Sequence, residues 1–259
     1  MLVVRRLWIH DTARVVNATD AVDAYRHSTT AAPTSASAGP ATIRAAGSTT
    51  TAVPAATPPA PGVYRYTTSG VEHIDVLGGA THHYPRITTV TVTSGGCGAR
   101  LRWDILEERR EEWQLCASAA GVELGTNGVQ LHVFFGHGDV EPFVCDRRVV
   151  LVPIDRAPSP PVPLSCTLMG ATWTPSWEVV GPEHRSVGTT SVPVMHVRET
   201  INNDSNYYEH TVVDWWLDDH GLPIAMATTK SSKSNSGLVG DVVYTEHYSA
   251  SLQSLTPMR

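Results

Sequence analysis

The feature that most constrains this chain is the run of short β-rich segments that starts after Pro61 and continues to the C-terminus. Ile87-Thr-Thr-Val-Thr-Val-Thr93 carries β-branched residues on both faces, and Leu101, Trp103 and Ile105 alternate with Arg102 and Asp104. Later runs recur at roughly ten-residue spacing: Thr172–Val180, Ser191–Ile201, Tyr207–Leu217, Pro223–Lys230 and Val239–Ser249. Turn residues punctuate them, most plainly Asn202-Asn-Asp-Ser205 and Asp218-Asp-His-Gly-Leu-Pro223. The expected fold is mainly β, an antiparallel curved sheet or half-barrel over 62–257. Only one short N-terminal helix is expected, capped at Asn17-Ala-Thr-Asp20 and ending near His27.

Between them, residues 28–61 are Ala, Thr, Ser, Pro and Gly with one Ile and one Arg as the main interruptions. Such a segment buries too little apolar surface to offset its ordering entropy and reads as a disordered linker. The domain plan is therefore 1–27 with the short helix, the 28–61 linker, and the 62–257 β domain. Within the domain, Asp146–Leu164 reads as a long connection carrying five prolines.

Four cysteines are present, Cys97, Cys116, Cys145 and Cys166, with no C-x-x-C pair. Folding 101–115 into a hairpin about Leu106–Glu107 puts Trp103 near Arg110, Leu101 near Glu112 and Cys97 opposite Cys116. Cys145 and Cys166 bracket the proline-rich connection. The expectation is two disulfides in chain order, and hence an oxidising compartment.

Several segments together resemble an uncharacterised actinobacterial family. They are Pro61-Gly-Val-Tyr-Arg-Tyr66, Gly78-Gly-Ala-Thr-His-His-Tyr-Pro85, and Arg102-Trp103-Asp104 with Glu108-Arg109 and Glu112-Trp113. Asp214-Trp-Trp-Leu217 with Gly221-Leu-Pro223, and Tyr244-Thr-Glu246 before Leu252-Gln-Ser-Leu-Thr-Pro257, fit the same pattern. The likeness covers nearly all of 62–257 and much of 15–27. Members look like single-span membrane proteins with a stalk and a β domain outside the cell. The resemblance implies an extracytoplasmic, membrane-anchored protein, with the spanning segment missing from this sequence. The strand ending in Trp-Leu, the acidic turn and Gly-Leu-Pro are similar, in architecture alone, to half-barrel lipoprotein carriers with an apolar concave face.

No motif spells out a catalytic chemistry. A net charge of −6 argues against a nucleic-acid partner. His82, His83, His132 and His137 lack metal-ligand spacing, and His132 and His137 would face opposite ways on one strand, so neither metal nor cofactor is expected. Gly-x-Ser-x-Gly is absent, and Glu107, Glu108, Glu111 and Glu112 read as a solvated face interleaved with Arg109 and Arg110. The aromatics say more. Adjacent pairs such as Trp215-Trp216 and Tyr207-Tyr208 put large rings on both faces of a sheet, and the short helix carries few apolar residues with which to cover one. A pocket walled by Trp173, Trp215 or Trp216 is therefore expected. It implies a non-enzymatic envelope protein binding an apolar, lipid-like small molecule or a partner protein. The alternatives are an extracytoplasmic hydrolase acting on envelope lipid or glycan, and a purely structural interaction module.

Overall fold

A computed structural model describes residues 11, 13–30, 56–168, 170–204, 208–236 and 240–259. Most of the expected linker, and Tyr207, lie outside them. Helix α1 spans Ala18–Thr30, three residues beyond the expected end at His27. The first strands are β1 Gly62–Ile74, β2 Ala80–His83, β3 Ile87–Gly95, β4 Gly98–Asp104, β5 Arg109–Ser118, β6 Gly121–Phe134, β7 His137–Cys145 and β8 Val149–Pro153. The rest are β9 Ser159–Pro163, β10 Cys166–Leu168, β11 Ala171–Trp173, β12 Ser176–Val187, β13 Thr190–Asn203, β14 Glu209–Leu217, β15 Pro223–Ser236 and β16 Gly240–Leu252.

All sixteen strands form one antiparallel sheet, ordered β11-β10-β7-β6-β5-β4-β3-β1-β16-β15-β14-β13-β12-β9, with β2 on β1 and β8 on β6. The sheet curls into a half-barrel. Bulges between Trp113 and Leu115 and between Trp216 and Leu217 bend the strands that approach across the interior. Gly221 shows how close that approach is. It sits in the β14–β15 turn at φ +84°, and an added Cβ would lie 2.8 Å from Val122 and 2.9 Å from Leu115. Only glycine meets both the left-handed backbone and the space.

Three expectations are corrected. The β4–β5 hairpin turns at Glu107–Glu108, and both Ile105 and Leu106 N–H donate to the Arg109 carbonyl. That bulge sets a register with Trp103 opposite Glu111 and Leu101 opposite Trp113. A one-residue difference changes which face a side chain occupies, so Arg109 and Glu111 join Trp113 on the inner face. The Asp146–Leu164 segment holds β8 and β9, because Val149, Leu151 and Val152 are buried in the core, while three of the five prolines lie on β9 at the sheet's end and Pro153 closes β8. His132 and His137 stand on different strands, β6 and β7.

Both disulfides are present in chain order. Cys97 and Cys116 have Cα atoms 4.7 Å apart, and Cys145 and Cys166 are direct cross-strand partners at 3.9 Å. The helix does cover part of the outer face. Ala21 and Val22 pack on Val63, with Tyr25 and Met258 beside them. The segment before it is tied down too, since the Arg14 backbone N–H and Nε each reach the Glu108 carboxylate at 2.8 Å.

Candidate functional site

Register divides the inner face of the half-barrel into an apolar end and a polar end. One cross-strand row runs Thr68, Ala250, Met226, Trp215, Val197 and Val179, and its members belong to the buried core except for the hydroxyl-bearing Thr68, which is buried as well. The next row runs Gly70, Tyr248, Thr228, Val213, Glu199 and Trp177. The row beyond runs Glu72, Glu246, Lys230, Thr211 and Ile201. Chain direction alternates, yet β1, β16, β15 and β14 all turn polar toward the same end.

Glu72 and Glu246 are direct neighbours in that polar row, an arrangement that repels unless a cation intervenes. Arg109 supplies it from β5, across the curl. Its Nε lies 3.3 Å from Glu246 and 3.9 Å from Glu72, and its far nitrogen pairs with Glu111. All three of Arg109, Glu72 and Glu246 are at most 3 % exposed. Burial opposes the charge on Arg109, but Glu111 and Glu246 hold its guanidinium well above the ordinary range. Against the same burial, His132 at 3.7 Å, His82 at 2.7 Å and the Arg109 charge keep Glu72 ionised far into acid. Tyr84 donates to Glu246, and Tyr244 donates to Glu72 at 2.8 Å. His82, stacked on Phe134 at 4.5 Å, bridges Glu72 and Asp11, and these carboxylates raise its imidazole above the ordinary value despite burial. The expectation of a solvated charged face is thus overturned for Glu108, Arg109 and Glu111. Glu108 is held by Arg14 from the segment before α1, and Arg109 joins Glu111 on its own strand to Glu72 and Glu246 on β1 and β16.

Between the two ends lies a cavity of about 250 Å³. Trp113, Trp173, Trp215 and Tyr248 contribute aromatic surface, Leu168, Ile201 and Val213 aliphatic surface, and Arg109, Glu111, Glu199, Glu209, Lys230 and Glu246 the charges. Arg109 is committed to Glu111 and Glu246, and Lys230 to Glu209 at 3.2 Å. Glu199 has no hydrogen-bond or ion-pair partner among the described residues. Burial first, and then Glu111 facing it, push its carboxyl up to about 8. Trp215, 6 % exposed, carries an indole N–H without an acceptor.

Two of the three tryptophans expected to wall a pocket do so. Trp173 packs edge-on against Phe143 at 5.3 Å, on the strand beside the Cys145–Cys166 bridge, and Trp215 stands opposite on β14. Trp216 does not. Its parity puts it on the outer face, stacked on His196 at 4.8 Å under the Arg185 guanidinium at 3.9 Å, with its N–H on Glu183. The charged lining is not among the residues expected from sequence. Its signal was present as carboxylates at the inward parity of alternating strands: Glu246 between Tyr244 and Tyr248, and Glu199 between Val197 and Ile201.

A larger groove of about 560 Å³ lies between α1 and the outer faces of β3–β5. Among its charges Arg102 donates to Asp104 at 2.8 Å, and Arg110 lies 3.5 Å from Glu112 as an ion pair while its Nε makes no hydrogen bond. Among the described residues no group of His, Cys, Asp and Glu is arranged to hold a metal ion, and no helix is long and apolar enough to cross a membrane. Comparison with protein-family models, with curated proteins and with solved structures returns no match.

Proposed function

We propose that this chain is a non-enzymatic binding protein of the cell envelope that takes a small amphiphilic molecule into its concave cavity. The observation that carries the reading is the cavity itself, whose lining combines four aromatic rings with six charged groups. Pockets of this make-up, apolar walls with a few placed polar groups, are what small-molecule sites require. The volume limits the guest. Pockets for drug-sized ligands span about 300–1,000 Å³, so 250 Å³ suits a single short chain or one ring and not a two-chain lipid. Two disulfides fit an oxidising compartment outside the cytoplasm. A membrane tether belongs to the same proposal and rests on the family resemblance alone.

Native mass spectrometry of the protein isolated from its own envelope tests the reading, with a retained small mass as the expected result. Titration with short-chain amphiphiles should alter tryptophan emission, and Trp173→Ala should weaken binding without unfolding the domain. Absence of retained mass together with no response to any amphiphile would overturn it.

The hydrolase alternative draws on Glu111 and Glu199, two carboxyl groups in one cavity, of which Glu199 holds its proton near neutral pH as a general acid must. It expects turnover of aryl glycosides or short esters that is lost in Glu199→Gln. Among the described residues no histidine is hydrogen-bonded to a serine or cysteine, so a nucleophile activated in that way has no support.

A further inference from the structure

The charges lining the cavity do not balance, and the shortfall sits at one residue. Glu111 and Glu246 share Arg109, and Glu209 takes Lys230. Glu199 is left as a fourth carboxyl group with no cation of its own, in a wall that also presents Trp113, Trp173, Trp215 and Tyr248. Groups from three other strands face it: Glu111 from β5, Glu209 from β14 and Lys230 from β15. Two of these are acidic, and the one base is already bonded. An unpaired carboxyl among aromatic faces is the arrangement that attracts an organic cation, because ring quadrupoles and carboxylate act on it together.

We propose that the ligand of this cavity is an amphiphile with a cationic amine head seated against Glu199 and its apolar part against the aromatic rings. The proposal rests on the reading of the cavity as a binding site and adds the charge of its ligand. Anionic amphiphiles are excluded by the same ledger, since a carboxylate head would meet four acidic side chains against two committed bases. Seating the ammonium displaces the Glu199 proton, so binding and proton release are linked.

Three probes of equal chain length separate the possibilities: hexylamine, hexanol and hexanoate, titrated calorimetrically into the intact protein. Hexylamine should bind about tenfold or more tightly than hexanol, one pKa unit of Glu199 being worth one decade. Hexanoate should not bind. In buffers of different ionisation enthalpy, hexylamine should release about one proton near pH 7, and its affinity should rise about tenfold per pH unit until levelling off above about 8. Hexanol should show neither effect. Glu199→Gln keeps the side chain's shape and should abolish both the proton release and the preference for the amine. If hexanol and hexylamine bind equally, with no proton released, the cationic head is wrong while the amphiphile cavity stands. If none of the three binds, both readings fall.

Discussion

The rings of Trp113 and Trp215 meet edge to face with centroids 4.6 Å apart, although their strands, β5 and β14, lie six places apart in the sheet. At about 4.8 Å per strand a flat sheet would hold them roughly 29 Å from each other. This contact therefore depends on the curl, and the curl creates the cavity above it. Truncating Trp215 to alanine should cost about 3–5 kcal/mol, the usual range for a large buried aromatic. Trp216→Ala, one residue along on the outer face, forfeits a stacking and a cation–π contact worth about 1–2 kcal/mol. Urea unfolding of the two variants checks the assignment of faces, and equal losses would contradict it.

A second prediction concerns the closing turn. Gly221 combines φ +84° with a β-carbon position 2.8 Å from Val122. Left-handed backbone alone costs a non-glycine residue about 1–2 kcal/mol, and overpacking adds to it. Gly221→Ala should lose at least about 2 kcal/mol by denaturant titration. Gly188, at φ +58° with open space around it, should lose only the backbone part when changed in the same way.

Much of this was legible in the chain, and for a physical reason. Period-two alternation reports local burial, so it located β3, β4 and β12–β16, and put Trp215 and Trp216 on opposite faces. Cysteine spacing carried both bridges. What alternation cannot report is which face curls inward, and so it leaves Trp215 and Trp216 as alternatives for the pocket wall. Nor can it see a charge neutralised from afar. Glu-Glu-Arg-Arg-Glu-Glu at 107–112 has the composition of a solvated turn, and Arg109 becomes a core residue only because Glu246, 137 residues away, is brought to it. The hairpin register failed for a smaller cause, since the Ile105–Leu106 bulge is backbone geometry with no side-chain signature.

The Cys145–Cys166 bridge joins β7 to β10, whose Leu168 lines the cavity and whose neighbour Trp173 forms its wall. Replacing both cysteines by serine should cost about 3 kcal/mol on the chain-entropy model for a 21-residue separation. Because the released strands carry cavity residues, ligand affinity should fall as well. The Cys97–Cys116 bridge ties the β3–β4 turn to β5, a strand held on both sides by β4 and β6, so its double variant should lose similar stability with a smaller loss of affinity. Parallel melting and binding measurements on the two double variants distinguish local from global effects.

The last prediction follows from the raised carboxyl of Glu199. In the unfolded chain it titrates near about 4.3, as a free glutamate does, while in the folded protein burial and Glu111 push it up to about 8. Between those values the folded state holds a proton that the unfolded state has lost. The folded state then binds more protons, so stability must fall as pH rises through this window and stay low above it. The buried pair Glu72 and Glu246 acts with the opposite sign, because their depressed values stabilise the fold above the free-glutamate range and that contribution is lost in acid. Both carboxylates and His82 are common to wild type and Glu199→Gln, so comparing the two proteins isolates one group. Glutamine cannot ionise, and the variant should match or slightly trail wild type at about pH 4, then exceed it by on the order of 3 kcal/mol above about pH 8. Urea unfolding across that range provides the measurement. Parallel curves for the two proteins would show that Glu199 titrates as an ordinary exposed carboxylate, and the unpaired acid in the cavity wall would lose its cause.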